Sequence, residues 1–283
     1  MAVAWPRPVK KLLRAVANYD PGYYDMHDDA DESWFAKLYV ERIRRRAEEA
    51  GITPPASVLE AGCQAGRLVV PLAQLGFTVT GIDTSAFALR RAAAHVREAG
   101  LRAAFIRGDL LKVLRGSPRR YDMVVCAEVL YLSPGYRDML RVLAGAVKPG
   151  GLLCVSHRPK MYYLLESLRH GDLESARRVL AGGEGHFPGP LPERGYYNWQ
   201  TDQELRALYG ALGLDRIAVY PIDQTSWLSG LPPSQLAEGA RRLWLDAELS
   251  LESQESGPCA RYALVIASKG DKSDSRETTS VER

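Results

Sequence analysis

Residues 57–73 read SVLEAGCQAGRLVVPLA, and this order of residue types predicts a strand, a tight loop and a helix. The apolar strand ends at Glu60, the loop contains Gly62 and Gly66, and a helix is predicted to begin near Arg67. Glycine is favoured in such a loop because a ligand can approach the backbone where a Cβ atom would collide. The stretch is compatible with an ordinary βα turn, but it also predicts a ligand at the carboxyl end of the strand.

The surrounding sequence alternates short β-branched runs with longer helical patterns, which is typical of βαβ units and a parallel sheet. The predicted strands are 57–60, 78–83, 103–107, 121–127 and 151–157, followed later by 215–220 and 261–267. The predicted helices cover 34–50, a segment capped by Thr84 or Ser85 and ended by Gly100, then 202–212 and 233–251. We therefore expect an α/β fold with a seven-stranded, mostly parallel, doubly wound sheet.

The segments outside this alternating region predict the domain organisation. Residues 1–50 are expected to form an N-terminal cap or lid, and residues 51–268 the main domain. Within that domain, residues 159–200 are punctuated by glycine and proline, so we interpret them as a loop insertion that covers the active site. The charged, Ser/Thr-rich residues 269–283 are expected to be a disordered tail.

A second acidic residue gives the ligand a chemical class. Asp83 ends the next predicted strand, about twenty residues beyond the glycine loop, where a carboxylate can accept hydrogen bonds from both hydroxyls of a ribose. Because parallel strands end at the same edge of a sheet, the loop and this acid are expected to lie together. A nucleoside-containing ligand is the leading interpretation.

The run LEAGCQAG, residues 59–66, resembles the first motif of the class I, Rossmann-like S-adenosylmethionine-dependent methyltransferases. VTGIDTS (79–85), RGDL (107–110), YDMVVCAEVLYL (121–132) and VKPGGLLCVSH (147–157) resemble later motifs of this family, in the same order. The chain is similar in these segments to small-molecule and ubiquinone-pathway methyltransferases. The resemblance implies S-adenosyl-L-methionine as the cofactor and S-adenosyl-L-homocysteine as its product.

The resemblance also assigns site residues. Asp83 falls on the ribose-binding acid, Asp109 on the residue that accepts from the adenine amino group, and Leu110 against the ring. The full set of expected cofactor contacts is Tyr24, His27, Glu60, Gly62, Cys63, Gln64, Gly66, Asp83, Thr84, Gly108, Asp109, Leu110, Ala127, Glu128 and Val129. Gln64 departs from the pattern because the family usually has a third glycine there.

The acceptor side of the site is predicted from residue chemistry. His157, directly after the fifth strand, is the candidate general base, with a purely structural role as the alternative. Aromatic residues at the mouth of the site are expected to form the substrate pocket, although they could equally serve as packing: Tyr131, Tyr162, Tyr163, Tyr197 and Trp199. The acidic residues 25–32 are interpreted as a solvated helix start, so no metal is assigned.

Composition limits the partners and the location. The 283 residues carry a formal net charge of +3 and no concentrated basic block, so a small-molecule substrate is favoured over nucleic acid. The four cysteines show no CxxC spacing and are expected to be free thiols in a cytoplasmic protein, either a monomer or a homodimer. No transmembrane segment is predicted, and the basic run 7–16 leaves weak association with a membrane surface open.

The expected activity is methyl transfer to an oxygen, or alternatively a nitrogen, of a small molecule. A nicotinamide-dependent oxidoreductase also combines a glycine loop with an acid at the second strand, but its loop reads GxGxxG, whereas this chain has GxxxG. A catalytically inactive, cofactor-binding partner subunit is the other alternative, and Gln64 is the residue that suggests it.

Overall fold

A seven-stranded sheet forms the centre of the structure, a computed structural model that describes Val9, Leu13 and residues 23–186, 195–250 and 259–270. The strands, including a separate hairpin of β6 and β7, are β1 (Ser57–Ala61), β2 (Thr78–Asp83), β3 (Ala104–Arg107), β4 (Tyr121–Cys126), β5 (Val147–His157), β6 (Glu184–His186), β7 (Tyr196–Asn198), β8 (Leu214–Ile222) and β9 (Tyr262–Lys269). The order across the main sheet is β3-β2-β1-β4-β5-β9-β8. The first five strands are parallel and β9 is antiparallel to both of its neighbours, so the predicted fold class is confirmed.

Helices cover the sheet. They are α1 (Ala30–Glu49), α2 (Val69–Gln74), α3 (Ala86–Glu98), α4 (Leu110–Arg115), α5 (Tyr136–Ala146), α6 (Lys160–Arg169), α7 (Leu173–Ala181), α8 (Asp202–Gly210), α9 (Thr225–Ser229) and α10 (Glu238–Ser250). Polar caps fix two of the starts: the Asp29 carboxylate accepts from the first turn of α1, and Ser85 Oγ accepts from Ala88 N in α3. None of the described helices is long and apolar enough to cross a membrane.

Both faces of the sheet are buried, as the near-continuous apolar strands require. Successive strand residues point to opposite faces, so Val58 and Leu152 join one buried cluster with α1 and α2, while Leu59 and Leu153 join another with α5 and α8. The parallel strands therefore have no water-facing side, and polar chemistry concentrates at their carboxyl ends.

Several predicted boundaries are corrected by the structure. β5 begins at Val147 rather than at residue 151, because the Pro-Gly-Gly turn is taken up within the strand. α1 begins at Ala30, four residues before the predicted start, because the Asp29 side chain caps it. The segment 233–251 is a short 3₁₀ turn, Pro233–Gln235, followed by α10.

The insertion 159–200 is not the loop that its glycine and proline content suggested. It contains α6, α7 and the hairpin strands β6 and β7; Gly171, Gly182 and Gly183 fall between these elements, whereas Gly185 lies within β6. Its residues 187–194 lie outside the described residues, as do the basic run 7–16, apart from Val9 and Leu13, and the tail from residue 271 onward.

Two glycines give a matched test of packing at β5. A Cβ atom added at Gly151 would lie 2.6 Å from the carbonyl oxygen of Asp122, whereas one added at Gly145 in α5 would meet nothing within 4 Å. Gly151→Ala should therefore lower the free energy of unfolding by about 1–3 kcal/mol. Gly145→Ala should leave it unchanged or raise it by up to about 1 kcal/mol, because alanine is favoured in helices. Denaturant titration of both variants measures the difference, and equal stability would contradict this packing.

Candidate functional site

A cavity of about 610 Å³ opens at the carboxyl ends of β1, β2, β3 and β4. Most of the residues expected at a ligand site line it: Tyr24, Glu60, Gly62, Cys63, Gln64, Asp83, Thr84, Gly108, Asp109, Leu110, Ala127, Glu128, Val129 and Tyr131. Met26, Arg67, Ile82, Leu132, Ser133 and Met139 complete the lining and were not anticipated from the sequence. Its volume is in the range of small-molecule and cofactor sites.

Glu60 lines this cavity and is the next-to-last residue of β1, just before the glycine loop. Its side chain is 4% exposed, and its Oε2 atom has no hydrogen-bond partner among the described residues. Burial raises the pKa of Glu60 to about 8, although the nearby Arg67 guanidinium opposes this rise. A buried carboxyl oxygen without a hydrogen-bond partner, on a residue that lines a cavity, is suited to receive a donor from a ligand.

Asp83 is held in place by the two loops that flank it. Its Oδ2 accepts from Gln64 N at 3.0 Å, and its Oδ1 accepts from Ser85 N at 2.8 Å. Each carboxylate oxygen can accept more than one hydrogen bond, so these contacts orient the group without using all of its lone pairs. The acid at the tip of β2 is therefore fixed toward the same loop that follows β1.

Gln64 has a function that its departure from the glycine pattern did not reveal. Its backbone lies in the left-handed region at φ 45°, so it adopts the conformation that glycine would take. Its Nε2 donates to Tyr24 O at 3.1 Å, and its Oε1 accepts from Met26 N at 3.3 Å. We call this pair of bonds the Gln64 latch, because it ties residues 24–26 to the loop beside the cavity.

Arg67 lines the cavity and connects its own loop to two other segments. It forms ion pairs with Glu32 of α1 and, at 2.8 Å, with Glu128 just after β4, and all three side chains are largely buried. Burial and the neighbouring Glu128 raise the pKa of Glu32 to about 7. Glu128 has a strained φ of 60° and its N–H donates to Ser156 Oγ at 2.6 Å. Non-glycine strain of this kind is concentrated at functional sites.

The loop after β3 forms the outer wall. Asp109 caps α4 through Oδ1, which accepts from Lys112 N at 3.1 Å. Gly108 precedes it, and a Cβ atom there would lie 2.5 Å from Val113 Cγ2. Glycine is required at this position by the helix packing beneath it, and the Asp109 side chain is brought to the cavity rim.

Two of the expected cofactor contacts lie elsewhere. A Cβ atom at Gly66 would meet Ala92 of α3 at 3.2 Å, so this glycine allows the helix to pack against the loop. His27 stacks on His95, with ring centroids 4.0 Å apart, beside a second cavity. His27, Asp28 and His95 have possible ligand atoms within 4.8 Å of one another, and Arg91 forms an ion pair with Asp28. The expectation that no metal binds stays a prediction.

His157 is placed away from the cavity. Its side chain is fully buried and its Nε2 lies 2.9 Å from the Tyr209 hydroxyl of α8. Burial lowers the pKa of His157 to about 4, so the imidazole is neutral near pH 7. The structure supports the packing alternative for this residue, and we do not carry it forward as a base.

Of the aromatic residues expected to form the substrate pocket, one lines the cavity and four do not. Tyr131 lines the cavity, whereas Tyr163, Tyr197 and Trp199 are buried and pack on one another, with ring centroids 5.4–5.6 Å from Tyr163. Tyr162 packs against Trp227 at 5.2 Å. All four lie behind the cavity lining, on α6 and around β7.

The sequence is similar to that of known methyltransferases. Residues 58–151 match the family described as a methyltransferase domain. The chain is 36% identical over 110 residues to a ubiquinone biosynthesis O-methyltransferase of Serratia proteamaculans, which covers 39% of this chain and 46% of that protein. It is 32% identical over 161 residues to the protein of the same name from Methylobacterium nodulans, covering 56% of this chain and 59% of the relative. The chain thus spans about half the length of these curated relatives.

Solved structures are similar over most of the chain. Magnesium protoporphyrin IX methyltransferase from Synechocystis PCC 6803, crystallised with bound SAH, superposes with a TM-score of 0.55 at 19% identity and covers 93% of this chain and 99% of that one. The CcbJ methyltransferase from Streptomyces caelestis gives a TM-score of 0.52 at 18% identity, covering 88% of this chain and 100% of that one. At these identities the similarity establishes the shared fold.

The Gln64 latch predicts a local change in backbone protection. Gln64→Ala removes the acceptor of Met26 N, so hydrogen exchange at that amide should accelerate about threefold to tenfold, as expected for the loss of one hydrogen bond. Exchange measured by NMR or mass spectrometry tests this, with the exposed Gln203→Ala on α8 as the control. Unchanged exchange at Met26 would show that the latch does not hold this segment.

The buried Glu60 predicts a pH dependence of stability. Its pKa is about 8 in the folded chain and near 4.5 when unfolded, so between these values only the folded state holds the proton. Raising the pH across this window therefore lowers the free energy of unfolding. Glu60→Gln removes this contribution, and its stability relative to wild type should increase from about pH 5 to about pH 8. Denaturant titrations across that range measure the free energy of unfolding of both proteins, and the exposed Glu238→Gln is the control. A difference between Glu60→Gln and wild type that does not change with pH would contradict the burial of this acid.

Proposed function

We infer that this chain, in which residues 58–151 form a methyltransferase domain on the class I fold, transfers a methyl group from S-adenosyl-L-methionine to an oxygen of a small-molecule acceptor. One observation carries the proposal: acidic side chains at the tips of β1, β2 and β3 line the same cavity. Such a series along successive strand ends suits a ligand with an amino acid end, a ribose and a base.

The residues present fit this cofactor. The partnerless Oε2 of Glu60 is available to the amino group of the methionine portion. Asp83, oriented by its two backbone contacts, would accept from the ribose hydroxyls. Asp109 at the cavity rim would accept from the adenine amino group, with Leu110 against the ring.

The bound sulfonium supplies an activated methyl group, so the protein mainly aligns the acceptor and excludes water. Residues 24–26, held by the Gln64 latch, cover the side of the cavity next to the glycine loop. Ala127, Glu128 and Val129 form the wall beyond β4, where the acceptor would approach. No histidine among the described residues lines this cavity, so the proposal assigns no histidine base.

The choice of oxygen as the methylated atom is supported by the names of the two relatives described above, both of which are called O-methyltransferases. The alternative of an inactive binding subunit rested on Gln64. Because the amide of Gln64 is hydrogen-bonded to the backbone of Tyr24 and Met26, its departure from the glycine pattern does not by itself argue for an inactive subunit.

Calorimetry against S-adenosyl-L-methionine, S-adenosyl-L-homocysteine and NAD tests the proposal directly. We expect binding of the first two and none of NAD. Incubation with a metabolite extract and methyl-labelled cofactor, followed by mass spectrometry, should then reveal a product carrying one labelled methyl group. Binding of NAD alone would eliminate the proposal, and cofactor binding without any labelled product would favour the inactive subunit.

Asp83 gives a residue-level test of the ribose position. Asp83→Asn removes the charge and one acceptor oxygen while nearly keeping the shape. The affinity for S-adenosyl-L-homocysteine should fall about tenfold to a hundredfold, which corresponds to roughly 1.5–3 kcal/mol for a lost charge-assisted contact. Calorimetry measures it, with the exposed Asp215→Asn on β8 as the matched control. An unchanged affinity would mean that the ribose lies elsewhere.

A further inference from the structure

Arg158 follows β5 directly and holds a cation against the ring of Tyr131, which lines the cavity, with no carboxylate paired to it among the described residues. Its Nη1 donates to Arg261 O at 3.0 Å and its Nη2 donates to the Tyr262 hydroxyl at 3.2 Å. Its Nε–H is buried and has no partner among the described residues. Both existing acceptors are neutral, so the charge of the guanidinium is left uncompensated by direct contact.

Asp223 interacts electrostatically with Arg158 but is paired directly with another arginine. Asp223 is completely buried and pairs with Arg261 at 2.6 Å. Within the ranges 23–186, 195–250 and 259–270, no carboxylate lies within 4.0 Å of the Arg158 side chain. Largely buried arginines are normally paired, because removing a charge from water is costly.

Tyrosine rings surround the guanidinium instead. The Arg158 Cζ atom lies 4.0 Å from the ring centroid of Tyr262, 4.1 Å from that of Tyr162 and 5.0 Å from that of Tyr131. Cation–π contacts of this kind compensate part of the lost hydration. They approach the faces of the rings and leave N–H donors in the guanidinium plane for an anion.

Tyr131 connects this group to the candidate site. It lines the cavity, and burial raises the pKa of its hydroxyl while the Arg158 guanidinium partly offsets that rise. Arg158 therefore lies one aromatic ring behind the wall at which an acceptor would bind. A negative group on an acceptor could reach the guanidinium by displacing or passing the Tyr131 ring.

We propose that Arg158 binds a carboxylate of the methyl acceptor, so that the substrate class is a small organic acid with a methylatable hydroxyl. This inference rests on the proposed function, because it uses the same cavity for the cofactor. The planar, forked donors of arginine match the two oxygens of a carboxylate. The tyrosine rings around it favour an acid with a flat, apolar body.

A matched pair of probes isolates the charge. In the presence of S-adenosyl-L-homocysteine, calorimetry compares 4-hydroxybenzoate with the neutral 4-hydroxybenzamide. Wild-type protein should bind the acid at least about tenfold more tightly, the value expected for a hydrogen-bonded charge pair. Arg158→Met should abolish this preference, and Arg158→Lys, which keeps the charge but not the fork, should retain part of it.

Arg137→Met is the control, because that arginine also lies over a tyrosine ring, 4.6 Å from the Tyr136 centroid, but is 61% exposed. It should keep the full preference for the acid. Equal binding of the two probes by wild type, no binding of the acid, or a preference that survives in Arg158→Met would overturn the proposal. Binding of S-adenosyl-L-homocysteine is measured separately for wild type and for every variant. If the wild type does not bind it, the proposed function is contradicted. If Arg158→Met still binds it, that variant is folded.

Discussion

The hydrogen-bonded register of β1 between β2 and β4 determines where Glu60, Asp83 and Glu128 lie relative to one another. Glu60 pairs opposite Gly81 on one side and Val125 on the other. The three strands therefore end at nearly the same level, and the loops that follow them must share one space. A register shift of one residue would turn Glu60 toward the opposite face of the sheet. The glycine loop, the latch and the cavity all depend on this alignment.

The electrostatics of the cavity suit a cation. Glu32 and Glu128 share Arg67, and Glu60 and Asp83 add two more acids close by. Without a ligand, burial raises the pKa of Glu60 to about 8 and that of Glu32 to about 7, so near neutral pH Glu60 is mostly protonated and Glu32 is partly protonated. A ligand with a sulfonium and an ammonium group would favour the ionised carboxylates and displace those protons. The negative charge that complements the cationic ligand would then develop when the ligand binds.

The sequence predicts the parts of the site that are local and misses those that depend on tertiary contact. Strand ends and glycine loops follow from short patterns, and this is why the lining near Glu60, Asp83 and Asp109 could be anticipated. The Gln64 latch and the Arg67 pair with Glu32 join residues 35–40 positions apart, and no local pattern marks them. The position of His157 at the end of a strand predicts a place at the site, but the alternation of side chains along β5 decides which face it takes. Ser156 faces the loop of Glu128, and His157 faces α8.

Similarity to relatives says more about the cofactor than about the substrate, because the two sides of the site come from different parts of the chain. The methyltransferase match covers residues 58–151, which supply β1 to β4 and nearly all of the cavity wall. Arg158 and the two rings nearest to it, from α6 and β9, lie beyond the end of that match, whereas Tyr131 lies within it. A fold can keep its cofactor side nearly constant while other segments build a new acceptor side, since function is determined by the site rather than by the architecture. The charge at Arg158, which the matched segment does not contain, is therefore a better guide to the acceptor of this chain than the names of proteins that share half of their length with it.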